Sequence, residues 1–312
     1  MQQQPLQMGS REWLLMFILA FIWGGSFIAV EIALEELPSL SIVTFRVGGA
    51  ALALYIFTKV SKISIVFPEG AQVRTILSGM LLLALFNNAL PFTAIVWGQT
   101  QIDAGLASIL NATMPFFTAF IAHFSVKEER ITVTSFLGTV LGFFGVAVIF
   151  SGTLGSNGAS TGLLGQLSVL AGACSYGIAA VIGRKLVKHG VQPVTMALGQ
   201  LSMATIILLP VSLVYDEPWV LSFPSVSVWV ALVVLAVACS ALAYVLYFRL
   251  IQAAGATNTS FITLLIPAFA ILMGIVMFGE TFHSTHGYGL MLIACGMAVM
   301  DGRIIKKLQF ST

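Results

Sequence analysis

Apolar residues run in blocks of about 20 along this chain, broken by short clusters of charge, proline or glycine. A bilayer core of about 30 Å needs roughly 20 such residues per helix, so each block predicts a membrane-spanning helix. Five fall in the first half of the chain: Trp13 to Leu34, Pro38 to Thr58, Val73 to Trp97, Ala104 to Ser125 and Thr132 to Phe150. An uncharged loop, Ser151 to Thr161, separates them from five more: Gly162 to Gly183, Pro193 to Val214, Ser227 to Phe248, Ala256 to Phe278 and His286 to Met300. The expected architecture is an all-α membrane protein with short tails, 1–12 and 303–312, on the cytoplasmic side.

Composition agrees, with 58% hydrophobic and 8% charged residues among 312 and a mean hydropathy of +1.01. Few soluble folds could bury that much apolar surface. The first block is too long for a secretory signal, has no Ala-x-Ala site and ends at Glu35 and Glu36, so it reads as a retained helix. The net charge of +2 forms no continuous basic stripe, which gives no support for nucleic-acid binding. Cys174, Cys239 and Cys295 lie inside apolar blocks without metal-binding spacing and read as small buried packing residues.

Lys and Arg are retained in cytoplasmic loops. With ten spans, Arg11, Lys59, Lys62, Arg74, Lys127, Arg130, Arg184, Lys185, Lys188, Arg249, Arg303, Lys306 and Lys307 all fall on one face. The opposite loops hold Glu35, Glu36, Asp103, Asp216 and Glu217. Both termini are therefore expected in the cytoplasm.

The chain also repeats itself. Laid without gaps, Pro115 meets Pro267 and Glu128 meets Glu280; after a one-residue adjustment, Gly138 meets Gly289 and Gly145-Val-Ala-Val meets Gly296-Met-Ala-Val. Trp23-Gly24 aligns with Tyr176-Gly177. An odd number of helices per copy inverts the second copy relative to the first. Such inverted repeats, here 13–150 and 162–302, place a binding site near the midplane and give alternating access by rocking about it.

Trp23-Gly-Gly-Ser26, Phe45-Arg46, Pro115 with Lys127-Glu128, and Pro267 with Gly279-Glu280 and the glycine-rich last helix resemble the EamA family of the drug/metabolite transporter (DMT) superfamily. The likeness spans nearly the whole chain. Within that family the amino-acid exporters of the YddG type are the nearest functional model. The resemblance implies a ten-helix basket in which helices one, three, four, six, eight and nine line a cavity. It further implies that helices five and ten pack away from the cavity and that helices two and seven move as gates.

Polar side chains at membrane depth are costly unless they face protein or a wet cavity. Counting about 1.5 Å per residue, Trp23, Asn87, Asn88, Tyr176 and Gln200 fall near mid-depth. Asn111 and Trp97 fall nearer the outer side, with Tyr244 and Thr263 nearer the inner side. The amides of Asn87, Asn88, Asn111 and Gln200 both donate and accept, which suits a zwitterion or neutral metabolite better than a phosphate. Alternatively they tie helices together. Trp23, Trp97, Tyr176 and Tyr244 form a π-rich wall for substrate, or, for Trp97 and Tyr244 in particular, anchor at the membrane interface.

Pro91, Pro115 and Pro267 each free a backbone carbonyl four residues earlier, making a hinge, an exposed acceptor or a fixed kink. Gly24 and Gly25, with Gly48 and Gly49, permit close helix approach; Gly138-Thr-Val-Leu-Gly142 is a GxxxG motif that packs within or between monomers. Arg46 is placed to hold a carboxylate, to pair with Glu31 as an outer gate, or to snorkel to the interface. Glu128 and Glu280 read as caps of the following helices, and His123 as interfacial.

Catalytic constellations and metal-ligand clusters are not found, and no cofactor is expected; a channel, which needs rings of like groups, and an intramembrane enzyme are the less favoured readings. Without a P-loop there is no sign of ATP drive. The scarcity of buried acids favours a uniporter or gradient-driven exporter, with proton exchange through Glu31 or His123 as the alternative. The expected function is export of amino acids, including aromatic ones, across the bacterial inner membrane; other compact metabolites or drugs, such as nucleobases and cationic compounds, are the second reading. The expected partners are a small-molecule substrate and the bilayer, with the chain as a monomer or homodimer.

Overall fold

The computed structural model describes residues 8–65, 67, 72–102, 104–126, 132–151, 162–278 and 284–301, and among these every regular element is helical. Asp103, Lys127, Glu128, Arg130, Gly279, Glu280, Arg303, Lys306, Lys307 and the loop 152–161 lie outside the described residues. In order, the α-helices are α1 (Ser10–Leu34), α2 (Ser39–Val60), α3 (Val73–Leu83), α4 (Leu90–Gly98), α5 (Ala104–Asn111), α6 (Met114–Ser125) and α7 (Val133–Ser151). They continue as α8 (Leu163–Lys188), α9 (Pro193–Tyr215), α10 (Val226–Ala236), α11 (Ala243–Ser260), α12 (Ile262–Phe278) and α13 (Ser284–Asp301).

By length and composition, seven helical stretches among the described residues can cross a bilayer. They are α1, α2, the joined Val73–Gly98, Leu106–Ser125, α8, α9 and the joined Val226–Ser260. The apolar helices α7, α12 and α13 complete the bundle.

Polarity is inside-out. Arg46, Asn87, Asn88, Asn111, Gln200 and Ser240 are buried, while Leu52, Phe57, Phe124, Phe144, Val214 and Val230 are exposed. In water an apolar exterior of this extent would drive aggregation; in lipid it is the matching surface, and polar side chains turn inward to find partners. The chain is a multi-pass membrane protein.

Several boundaries differ from the sequence expectation for identifiable reasons. The block expected to stop at Gly183 continues to Lys188 as α8, because Lys185 and Lys188 in its last turn are favoured by the negative end of the helix dipole. The block Ala104 to Ser125 is broken after Asn111, and Pro115 sits in the first turn of the new helix α6. The block expected to end at Phe248 runs on through α11 until Gly255, whose φ of 85° and ψ of 169° lie where a side chain is strained. Arg184 Nη1 donates to the carbonyls of Ile251 (3.2 Å) and Gln252 (3.4 Å) just before that break, satisfying acceptors the helix leaves open.

Two six-residue π-helical turns were not expected: Ala84–Ala89 between α3 and α4, and Val237–Leu242 between α10 and α11. A π-turn widens the helix and releases carbonyls from the i to i−4 ladder. Both turns are held from outside by side chains described below.

Close packing uses missing side chains at four related places. A Cβ on Gly24 of α1 would stand 3.0 Å from Phe269 Cβ of α12, and one on Gly177 of α8 2.8 Å from Phe117 Cβ of α6. A Cβ on Gly145 of α7 would stand 2.7 Å from the Gly289 carbonyl of α13, and one on Gly296 of α13 2.6 Å from the Gly138 carbonyl of α7. The GxxxG motif thus packs within the chain, backbone against backbone. Cys239 is buried, but Cys174 is only half-buried and Cys295 is exposed, so burial explains one cysteine of the three.

Two loops at one end of the bundle clasp each other's helices. Glu36, after α1, accepts a hydrogen bond of 2.7 Å from the Ser225 N–H at the start of α10. Asp216, after α9, accepts from the Ser41 N–H in the first turn of α2 and from the Ser41 hydroxyl (2.8 Å). Each carboxylate satisfies an open donor at a positive helix end. The bond to Ser225 holds the Glu36 carboxyl below its ordinary value of 4.5.

Candidate functional site

A cavity of about 710 Å³, counting its open mouth, lies in the middle of the bundle. Its walls come from α1, α4, α5, α6, α8, α11 and α12, with Asn87 from the first π-turn and Arg46 from α2. Its lining is mostly apolar and aromatic with a few polar groups and one guanidinium, the composition of a small-molecule site.

Arg46 is only 6% exposed. Its Nε donates to the Ser240 hydroxyl at 2.9 Å and its Nη2 to the Cys239 carbonyl at 3.5 Å, both in the second π-turn. The guanidinium carbon lies 3.9 Å from the centre of the Phe92 ring, a cation–π contact that counts for more when water is excluded. Among the described residues its hydrogen-bond partners are thus a hydroxyl and a carbonyl, not a carboxylate. Glu31 is on the exposed side of α1 and is not part of the cavity wall.

Around Arg46 stands a continuous aromatic wall. Trp23 and Tyr247 rings are 5.5 Å apart, Trp23 and Tyr244 6.4 Å, Phe92 and Tyr244 6.4 Å, and Phe92 and Tyr176 6.3 Å. Trp23 Nε1 donates to the Cys239 carbonyl at 3.0 Å. The second π-turn is therefore pinned by both Trp23 and Arg46.

The first π-turn is pinned in the same way. Pro91 cannot donate to the Asn87 carbonyl, and the Tyr244 hydroxyl does so instead, at 2.8 Å. Ser175 of α8 donates to the Phe86 carbonyl at 2.8 Å. Asn87 Nδ2 donates to Gln200 Oε1 of α9 at 3.0 Å. The wide turns thus supply carbonyls that other helices grip, which fixes the cavity wall without a continuous helical ladder.

Seven of the residues expected at the site meet in this cavity: Trp23, Arg46, Asn87, Asn111, Tyr176, Tyr244 and Thr263. Asn88 and Gln200 are fully buried away from it; Asn88 donates to its own helix at the Leu83 carbonyl, and Gln200 ties α9 to the π-turn. Trp97 is 41% exposed on the outside of the bundle. Tyr244, by contrast, is buried and not at an interface. Gly24 serves the α1–α12 contact, and a Cβ on Gly25 would meet Met273 of α12 at 3.2 Å. Pro115 and Pro267 are buried in α6 and α12.

Phe92, Gln99, Tyr247 and Ser260 were missed. Tyr247 could have been found from its place three residues after Tyr244, on the same helix face. Phe92 could not, since nothing in its apolar context marks which face it takes.

Comparison with known proteins identifies the family. The family described as the EamA-like transporter family matches residues 11–151 and again residues 163–300. The uncharacterized transporter YoaV of Bacillus subtilis is 27% identical over 281 residues, 89% of this chain and 92% of that protein. A probable amino-acid metabolite efflux pump of Salmonella typhimurium is 25% identical over 300 residues, 94% and 95% of the two chains. The uncharacterized inner membrane transporter YedA of Escherichia coli is 27% identical over 274 residues, covering 85% and 82%. A solved structure shares the fold with a TM-score of 0.76 over 93% of this chain and 98% of its own, at 15% identity. With two family matches that together span most of its length, the chain belongs to the EamA-like transporter family, within the drug/metabolite transporter superfamily, and is a multi-pass membrane transporter.

Proposed function

We propose that this protein exports amino acids or similarly compact zwitterionic metabolites from the cytoplasm across the inner membrane by alternating access. The observation that carries the reading is Arg46. A buried guanidinium, matched by neutral groups and opening on an aromatic cavity, leaves a positive charge that a substrate carboxylate complements. The ring wall of Trp23, Tyr176, Tyr244 and Tyr247 accommodates apolar or aromatic side chains. The name of the Salmonella relative, a probable amino-acid metabolite efflux pump, points to the same substrate class.

Alternating access rests on two inverted repeats, 13–150 and 162–302, of five helices each. The reciprocal glycine contacts support it. Under the sequence alignment Gly24 corresponds to Gly177 and Phe269 to Phe117, so the α1–α12 and α8–α6 contacts are one contact made twice. The Gly145 and Gly296 contacts are related likewise. Lys and Arg segregation supports a cytoplasmic location for both termini.

The test is flux into proteoliposomes of amino acids, nucleobases and cationic dyes, with and without a pH gradient. Saturable amino-acid flux that Arg46→Gln abolishes supports the reading. Flux confined to nucleobases or cations contradicts it.

A further inference from the structure

The gapless alignment that lays Pro115 on Pro267 also lays Asn111 on Thr263, and both residues line the cavity. Each stands four residues before its proline. A proline ring cannot donate to the carbonyl four residues back, so the backbone carbonyls of Asn111 and Thr263 both lack their α-helical donor. The two residues come from α5 and α12, which pack against each other.

The side chains add to this. Asn111 is 4% exposed, and its Oδ1 accepts no hydrogen bond among the described residues. An amide oxygen orphaned in a protein interior is costly unless something not yet present donates to it. Thr263 has its hydroxyl proton committed to the Ser260 carbonyl, at 2.9 Å, so its hydroxyl oxygen is left as an acceptor only. In addition α5 ends at Asn111, and a helix C-terminus carries partial negative charge. Acceptors therefore gather where α5 meets α12, while Arg46, the one cation lining the cavity among the described residues, belongs to a different helix.

We propose that Asn111 and Thr263 form the subsite for the substrate's ammonium group, with the carboxylate held by Arg46. An ammonium offers three donors and no acceptor, which matches the two proline-released carbonyls and Asn111 Oδ1. The subsite rests on the transport reading above and narrows it to substrates with both a primary amine and a carboxylate.

Phenylalanine and 3-phenylpropanoate differ only in the ammonium, and their competition for flux and their thermal stabilisation of the purified full-length protein test the subsite. The wild type should prefer phenylalanine by about tenfold to a hundredfold, the range for one charge-assisted hydrogen bond. Asn111→Leu should erase most of that preference through phenylalanine alone, leaving 3-phenylpropanoate unchanged. Asn111→Asp should widen it, by attracting the amine and repelling the acid. Pro115→Ala, which restores a donor to the Asn111 carbonyl, should narrow it. Equal handling of both compounds by the wild type, a measurement that needs no variant, overturns the subsite while leaving amino-acid transport standing. So does an undiminished preference in Asn111→Leu. Absence of amino-acid flux in the wild type overturns the transport reading and the subsite together.

Discussion

The Tyr244 hydroxyl donates at 2.8 Å to the Asn87 carbonyl, the one acceptor that Pro91 strips of its helical donor. One side chain thereby closes a gap left by the backbone of a distant helix and becomes part of the cavity wall. Tyr244→Phe should cost about 1 kcal/mol of stability, the net worth of one buried hydrogen bond, with a lowered unfolding temperature in detergent as the readout. In a Pro91→Ala background, where an N–H again reaches Asn87, the same substitution should cost much less. Equal costs in both backgrounds would show that the bond does not compensate for the proline.

The helix contacts at Gly24 and Gly177 make a graded prediction. Gly177→Ala brings its Cβ to 2.8 Å from Phe117 Cβ and 3.0 Å from the Thr118 nitrogen, whereas at Gly24 the nearest atoms stand at 3.0 and 3.1 Å. Overpacking of this kind costs about 1–3 kcal/mol. Both variants should unfold at lower temperature than the wild type, Gly177→Ala by the larger margin.

Acid should loosen one clasp between loops. The Glu36 carboxyl is held below its ordinary value of 4.5 by the hydrogen bond from Ser225. A group whose pKa falls on folding contributes stability that is present above the unfolded value and fades as pH drops through the folded one. Glu36→Gln should therefore unfold at a lower temperature than the wild type at neutral pH, and the difference should close at pH below 4.5. A difference that persists unchanged in acid would contradict the clasp.

The topology has its own test. The proposed inversion of the second repeat places the loops after the first helix of each repeat on opposite sides of the membrane. Glu35→Cys and His189→Cys, each in a chain lacking its 3 native cysteines, should label from opposite faces with an impermeant maleimide. Labelling from the same face would contradict the inversion.

How much of this was legible beforehand depends on distance along the chain. The helices announce themselves because lipid demands unbroken apolar runs, and the release of the Asn87 carbonyl follows from Pro91 alone. That Tyr244 would take that carbonyl does not follow, since the partner lies 157 residues away and the choice is made by packing. The π-turns have no local signature at all: the second contains neither proline nor glycine and is held by Trp23 and Arg46 from other helices. For the same reason the amides Asn87 and Gln200 could be placed at similar depth from sequence, but not resolved into one that faces the cavity and one that ties helices.

The central claim is that Arg46 holds a substrate carboxylate inside the cavity. Its most direct test is the ratio of flux for phenylalanine to flux for phenylalaninamide, which lacks the carboxylate charge, in proteoliposomes of the wild type and of Arg46→Gln. The account predicts a wild-type ratio well above one that falls about tenfold or more in the variant, the worth of a buried charge-assisted pair. A ratio near one in the wild type, or one that Arg46→Gln leaves unchanged, would contradict it.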